Sequence, residues 1–134
     1  MKKNIVEISF TGNNFSAYLP GLPGCVSTGN TPSDIKNNID EAISIHLAGM
    51  REDKDAIPKS FTGNYELVYK FDAQSLLNYY KGIFTNSAFE RLTGINQKQI
   101  QHYASGLKKP RPEQTEKIKA AFHKLGSELL ALEL

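Results

Sequence analysis

Cysteine is nearly absent: Cys25 stands alone in 134 residues. A single thiol cannot staple a fold by disulfide or supply a zinc cluster, and this usage suits a reducing compartment, by default the cytoplasm. Long apolar runs are missing too. No stretch approaches the ~18 apolar residues of a membrane-spanning helix. The start, MKKNIVEISF, has two lysines with no apolar segment behind them, so no secretory signal is expected. No internal repeat and no low-complexity segment is visible. A phosphate loop is also lacking. Gly21 and Gly24 are followed by no Lys-Ser/Thr pair, and Pro20 and Pro23 remove amide donors. One further absence is local: from Asn96 to Arg111 there is no acid.

The 40% of apolar residues is enough for a packed core and argues against disorder. Charge is unevenly spread. Residues 1–72 hold seven Lys/Arg against nine Asp/Glu, and residues 73–134 hold nine against five, a balance of −2 against +4. Basic segments favour polyanions through counterion release.

Ile5–Phe10 reads as a strand, and Thr11-Gly12-Asn13-Asn14 as a turn. Phe15–Leu19 alternates again, which predicts a hairpin. Pro20–Gly24 is irregular, and Cys25–Thr28 is a short third strand. Thr31-Pro32-Ser33-Asp34 opens a helix, with Thr31 as cap and Pro32 at its first position. Ile35, Ile39, Ala42, Ile43, Leu47 and Met50 form its apolar stripe. The pattern fades near Arg51–Lys54. Tyr65–Phe71 is a fourth strand. The expected fold class is therefore α+β: a β-β-β-α-β domain over residues 1–72, followed by an all-α domain over 73–134.

In that second domain Leu76, Leu77, Tyr80, Ile83 and Phe84 predict one helix, and Asn86–Thr93 a second. Asn96 caps a third, with Ile100, Tyr103 and Ala104 inward and Gly106 as its stop. Glu113–Leu132 predicts a last helix, with Ile118, Phe122, Leu125, Leu129 and Leu132 at helical spacing, that Gly126 kinks or divides. Helix, Gly94-Ile95 turn and polar helix together meet the demands of a helix-turn-helix motif. Its recognition helix would present Asn96, Gln97, Lys98, Gln99, Gln101, His102 and Ser105. Gln pairs with adenine, Lys reaches guanine or phosphate, and a helix N-terminus donates to phosphate. Lys108, Lys109 and Arg111 would clamp the DNA backbone. The plain alternative is a helical bundle with a polar face. The stretch GINQKQIQHYASGLKKP resembles phage-repressor-like domains. It departs from them at Glu90, where a small residue is usual, and this leaves the packing of the two helices open.

The segment YLPGLPGCVSTGNTPSDIKNNIDEAI resembles the HicB antitoxin family. The resemblance implies a partial, catalytically inactive RNase-H-like fold for residues 1–72. It implies a HicA-type mRNA-cleaving toxin and operator DNA as partners, and a homodimer or higher oligomer. Toxin binding would then fall on Leu22, Cys25, Ser27, Asp34, Asp40 and Glu41. The acids among them suit a basic, RNA-cleaving partner. RNase H chemistry needs clustered carboxylates for two Mg²⁺ ions. Glu7, Asp34, Asp40, Glu41 and Glu66 are read instead as solvated, so no enzyme, no metal and no cofactor is expected. Cys25 reads as a small buried hydrophobe and His46 as packed or half-exposed. Two rival readings stand beside the antitoxin. One is a repressor with a small-molecule-sensing first domain; the other is a residual nuclease acting through Glu7.

Overall fold

A computed structural model describes the whole chain, Met1 to Leu134. It divides into two compact units, Met1–Asp72 and Ala73–Leu134. The first contains strands β1 (Lys2–Phe10), β2 (Phe15–Tyr18) and β3 (Val26–Gly29). Helix α1 (Pro32–Glu52), a 3-10 turn at Lys59–Phe61 and strand β4 (Tyr65–Phe71) follow. The sheet order is β3-β2-β1-β4. β1, β2 and β3 form an antiparallel meander, while β4 runs parallel to β1, with Ile5 opposite Val68. Parallel neighbours need a long crossover, and the chain through α1 provides it.

Alternation along β1 turns Asn4, Val6 and Ile8 into the core and Lys3, Ile5 and Glu7 to the opposite face. The strand begins at Lys2, three residues before the start that the sequence suggests. Its first inward position is polar, which hides the alternation. Asn4 Nδ2 donates to Ser60 O at 2.8 Å, and Lys2 Nζ donates to Lys59 O at 2.7 Å and Thr62 O at 3.0 Å. These two side chains therefore satisfy carbonyls of the 3-10 turn, which has no sequence period of its own.

Thr31 caps α1 as expected: its Oγ1 accepts from Asp34 N at 3.0 Å. Ile35, Ile39, Ile43 and Leu47 are buried against the sheet. At β3, Gly29 has no Cβ, and one built there would stand 2.6 Å from Ile35 N and 2.9 Å from Ile35 Cα. The first turn of α1 sits in that space. The helix ends on Lys54 at φ 58°, with Asp55 N bonded to Met50 O at 2.8 Å and Lys54 N to Arg51 O at 3.1 Å. This left-handed closure favours glycine. Lys54→Gly is expected to stabilise the sheet unit by about 0.5–1 kcal/mol, read as slower amide exchange at the end of α1.

The second unit contains α2 (Ala73–Tyr80), α3 (Asn86–Thr93), α4 (Gln97–Ser105) and α5 (Pro112–Leu130). Leu77, Phe89, Ile95, Ile100, Tyr103 and Ile118 form its core, with Phe84 and Phe122 packed against them. Two expectations fail here. Ile83 is not on the apolar face of a helix: Ile83 N and Phe84 N both bond Tyr80 O, and the resulting turn leaves Ile83 71% exposed. Gly126 does not divide α5, which runs through it to Leu130. Leu129 and Leu132, placed by the sequence at helical spacing, are 57% and 64% exposed because the packing of α5 on the core stops short of them.

Candidate nucleic-acid interface

The α3–α4 connection is built from short polar contacts. Thr85 Oγ1 caps α3 by accepting from Ala88 N at 3.0 Å. Gly94 closes α3 at φ 75°, its N–H bonded to Glu90 O at 2.8 Å. Thr93 Oγ1 donates to Phe89 O at 2.7 Å and accepts from Ile95 N at 3.1 Å, which carries the chain round the turn. Asn96 Oδ1 then accepts from Lys98 N at 2.9 Å.

Glu90 explains its own departure from the usual small residue. Its Oε1 accepts from Gln97 N at 2.8 Å, so α3 caps α4 from the side. This charge-assisted hydrogen bond ties the two helices together at the positive end of α4. With Asn96, it occupies two of the first-turn amides of α4 that the sequence offers to phosphate.

The expected recognition residues separate into groups. Asn96, Gln97, Lys98 and Gln101 are exposed and gather around a shallow cleft of about 370 Å³, joined by Asn86 from the start of α3. Gln99 is half-buried and stands outside that cleft: its Nε2 donates to Tyr103 Oη at 3.1 Å. Ser105 is exposed, but its Oγ donates to His102 O and accepts from Leu107 N, a helix-end role. His102 is half-buried, with Nδ1 enclosed and unbonded. Lys108, Lys109 and Arg111 are exposed and line a second cleft of about 730 Å³, together with Gln99, Tyr103 and Lys117. Asn86 and Lys117 escape sequence reasoning. Each comes from a neighbouring helix, and only packing brings them alongside α4.

In the sheet unit, Leu22 and Cys25 are buried, so neither side chain is available to a partner. Cys25 is the small buried hydrophobe that the sequence suggests, and burial raises its thiol pKa. Ser27 is half-buried, while Asp34, Asp40 and Glu41 are exposed on α1. Asp40 is also engaged within the fold: it accepts from the Tyr69 hydroxyl, and Lys36 Nζ lies 4.9 Å from the centre of that ring. Burial, then this hydrogen bond and the Asp40 charge, push the Tyr69 hydroxyl well above the ordinary phenol range. The sheet face opposite the core leaves Ile5, Tyr18, Val26 and Val68 exposed. No three His, Cys, Asp or Glu residues are grouped so as to hold a metal ion. No helix is long and apolar enough to cross a membrane.

The sheet unit is also the part of the chain that matches a known family. Residues 5–70 match the HicB_like antitoxin of bacterial toxin-antitoxin system. The HicB-like match runs from within β1 to the last residues of β4, and so takes in the meander, α1 and the parallel strand. A 53-residue stretch of the chain is also 42% identical to an uncharacterized 14.9 kDa protein in the rep-hol intergenic region of Haemophilus phage HP1 (strain HP1c1). That alignment spans 40% of this chain and 40% of the phage protein.

Proposed function

We propose that this chain is the antitoxin of a toxin–antitoxin pair. Residues 1–72 bind and neutralise a HicA-type mRNA-cleaving toxin. Residues 73–134 form a helix-turn-helix domain that binds operator DNA and represses the operon. The protein acts in the cytoplasm as a homodimer or higher oligomer and is not an enzyme. The observation that carries the reading is the HicB-like match over residues 5–70. The strand order, with β4 parallel to β1 across the α1 crossover, is compatible with a partial RNase-H-like fold. Asp34, Glu41 and the remaining valences of Asp40 supply exposed acids for a basic partner.

For the DNA arm, support comes from the α3–Gly94–α4 geometry and from the acid-free run around it. Exposed Leu129, Leu130 and Leu132 at the end of α5 offer apolar surface for self-association. A symmetric pair would place half-sites about 34–36 Å apart.

Co-expression with the product of the adjacent small reading frame tests the toxin arm: a stable complex and rescued growth are expected. Absence of both would overturn the antitoxin reading. Replacing Gln97, Lys98 and Gln101 together by Ala tests the DNA arm. Removing one side chain that reads a base edge costs about 1–3 kcal/mol, so discrimination between operator and random DNA should fall by at least ~100-fold, with the toxin complex intact. Unchanged discrimination in a band-shift titration would remove α4 from the interface.

A further inference from the structure

We infer that the DNA backbone is anchored in the notch between α4 and α5, with a phosphodiester group seated among Lys108, Lys109, Arg111 and Lys117, and not at the N-terminus of α4. The inference rests on the DNA-binding reading and specifies where that binding draws its charge.

Two independent observations lead to it. The first is that the first two amides of α4 are already taken. Gln97 N is bonded to Glu90 Oε1 at 2.8 Å and Lys98 N to Asn96 Oδ1 at 2.9 Å. A phosphate arriving there would have to displace a carboxylate and meet its charge. The second is the notch itself, a concavity of about 730 Å³ in which four cations face one acid, Glu113. None of the four is held in an ion pair with a carboxylate. Their charge is therefore available to a ligand.

The notch works through side chains. Pro112 has no N–H, and the amides of Gln114 and Thr115 are both bonded to Arg111 O at 2.9 and 3.0 Å, so the first turn of α5 offers little backbone donation. Arg111 supplies a planar fork and the lysines supply mobile point charges. The Gln99 Nε2–Tyr103 Oη bond lies along the same wall, which gives Gln99 a positioning role beside the phosphate in place of a base contact.

Lys117 distinguishes this arrangement from a clamp made only by the Lys108–Arg111 loop. The test is a salt titration of the full chain on operator and random duplexes, with Lys117→Ala, Lys119→Ala and Glu90→Gln. Lys119 is exposed and lies two residues on, across the helix from Lys117. Lys117→Ala is expected to flatten the slope of log K against log salt by about 0.9, or ~3.5-fold less loss between 50 and 200 mM salt. The effect should be equal on both duplexes, and Lys119→Ala should leave the slope unchanged. Glu90→Gln keeps the acceptor for Gln97 N and removes the charge, so affinity should change less than about twofold. An unchanged slope for Lys117→Ala, an equal effect from Lys119→Ala, or a severalfold gain from Glu90→Gln would each overturn the notch. If the unmodified chain binds neither duplex, the DNA-binding reading itself falls, which is a separate result.

Discussion

Gly29→Ala is expected to destabilise the sheet unit by about 3 kcal/mol, the upper end of the ordinary overpacking range. The added methyl would meet Ile35 N at 2.6 Å, Ile35 Cα at 2.9 Å and Asp34 C at 3.0 Å. All three are backbone atoms in the first turn of α1. No rotamer change relieves them, so the helix must lift from β3 or its Thr31 cap must break. Gly49 makes the control, because it lies within α1 with nothing within 4 Å of a Cβ built on it. Gly49→Ala should stabilise the same unit by up to about 1 kcal/mol through helix propensity. Amide exchange in β2, β3 and α1 reads both changes without interference from the helical unit. Equal effects of the two substitutions would show that α1 is not seated against Gly29.

Phe89→Ala should cost about 3–5 kcal/mol. Phe89 is 1% exposed, with Phe84 and Phe122 rings centred 5.6 and 6.2 Å away. A unit of this size has roughly 3–9 kcal/mol of total stability, so the variant should be largely unfolded from Ala73 onward. A partial loss of helical circular dichroism, with α1 retained, and loss of operator binding are expected, while protection of the β1–β4 amides persists. Phe89→Leu refills most of the volume and should lose less than half as much. Retained helicity in Phe89→Ala would mean that Leu77, Ile100 and Ile118 hold the core without the ring.

Much of this fold is legible because it is written in local chemistry. Tyr65–Phe71 alternates and is a strand at those bounds; Thr31-Pro32 opens a helix; Gly94 and Gly106 close two others in the left-handed conformation. What is hidden depends on partners distant in sequence. Asn4 looks like a loop residue until Ser60 O is placed beside it. Ile83 fits a helical stripe, but the chain turns at Tyr80. The candidate interface is similar. A polar, acid-free helix can be read from its composition. Its division into an amide-lined cleft and a basic notch cannot, because Asn86 and Lys117 enter only through packing. Glu90 stands out in the sequence as an irregularity, and only its bond to Gln97 N gives it a purpose. Cys25 and Leu22 illustrate the converse: a segment that matches a family contains residues that serve the core.

The exposed side chains of α4 have one more consequence. Glu90, Asn96 and Thr93 hold the turn through backbone amides, and the side chains of Gln97, Lys98 and Gln101 are bonded to nothing in the fold. Surface changes free of such bonds usually stay within about 0.5 kcal/mol. Over generations these three positions can therefore drift with little effect on folding. If α4 reads DNA as proposed, its specificity can change one residue at a time on an unchanged scaffold.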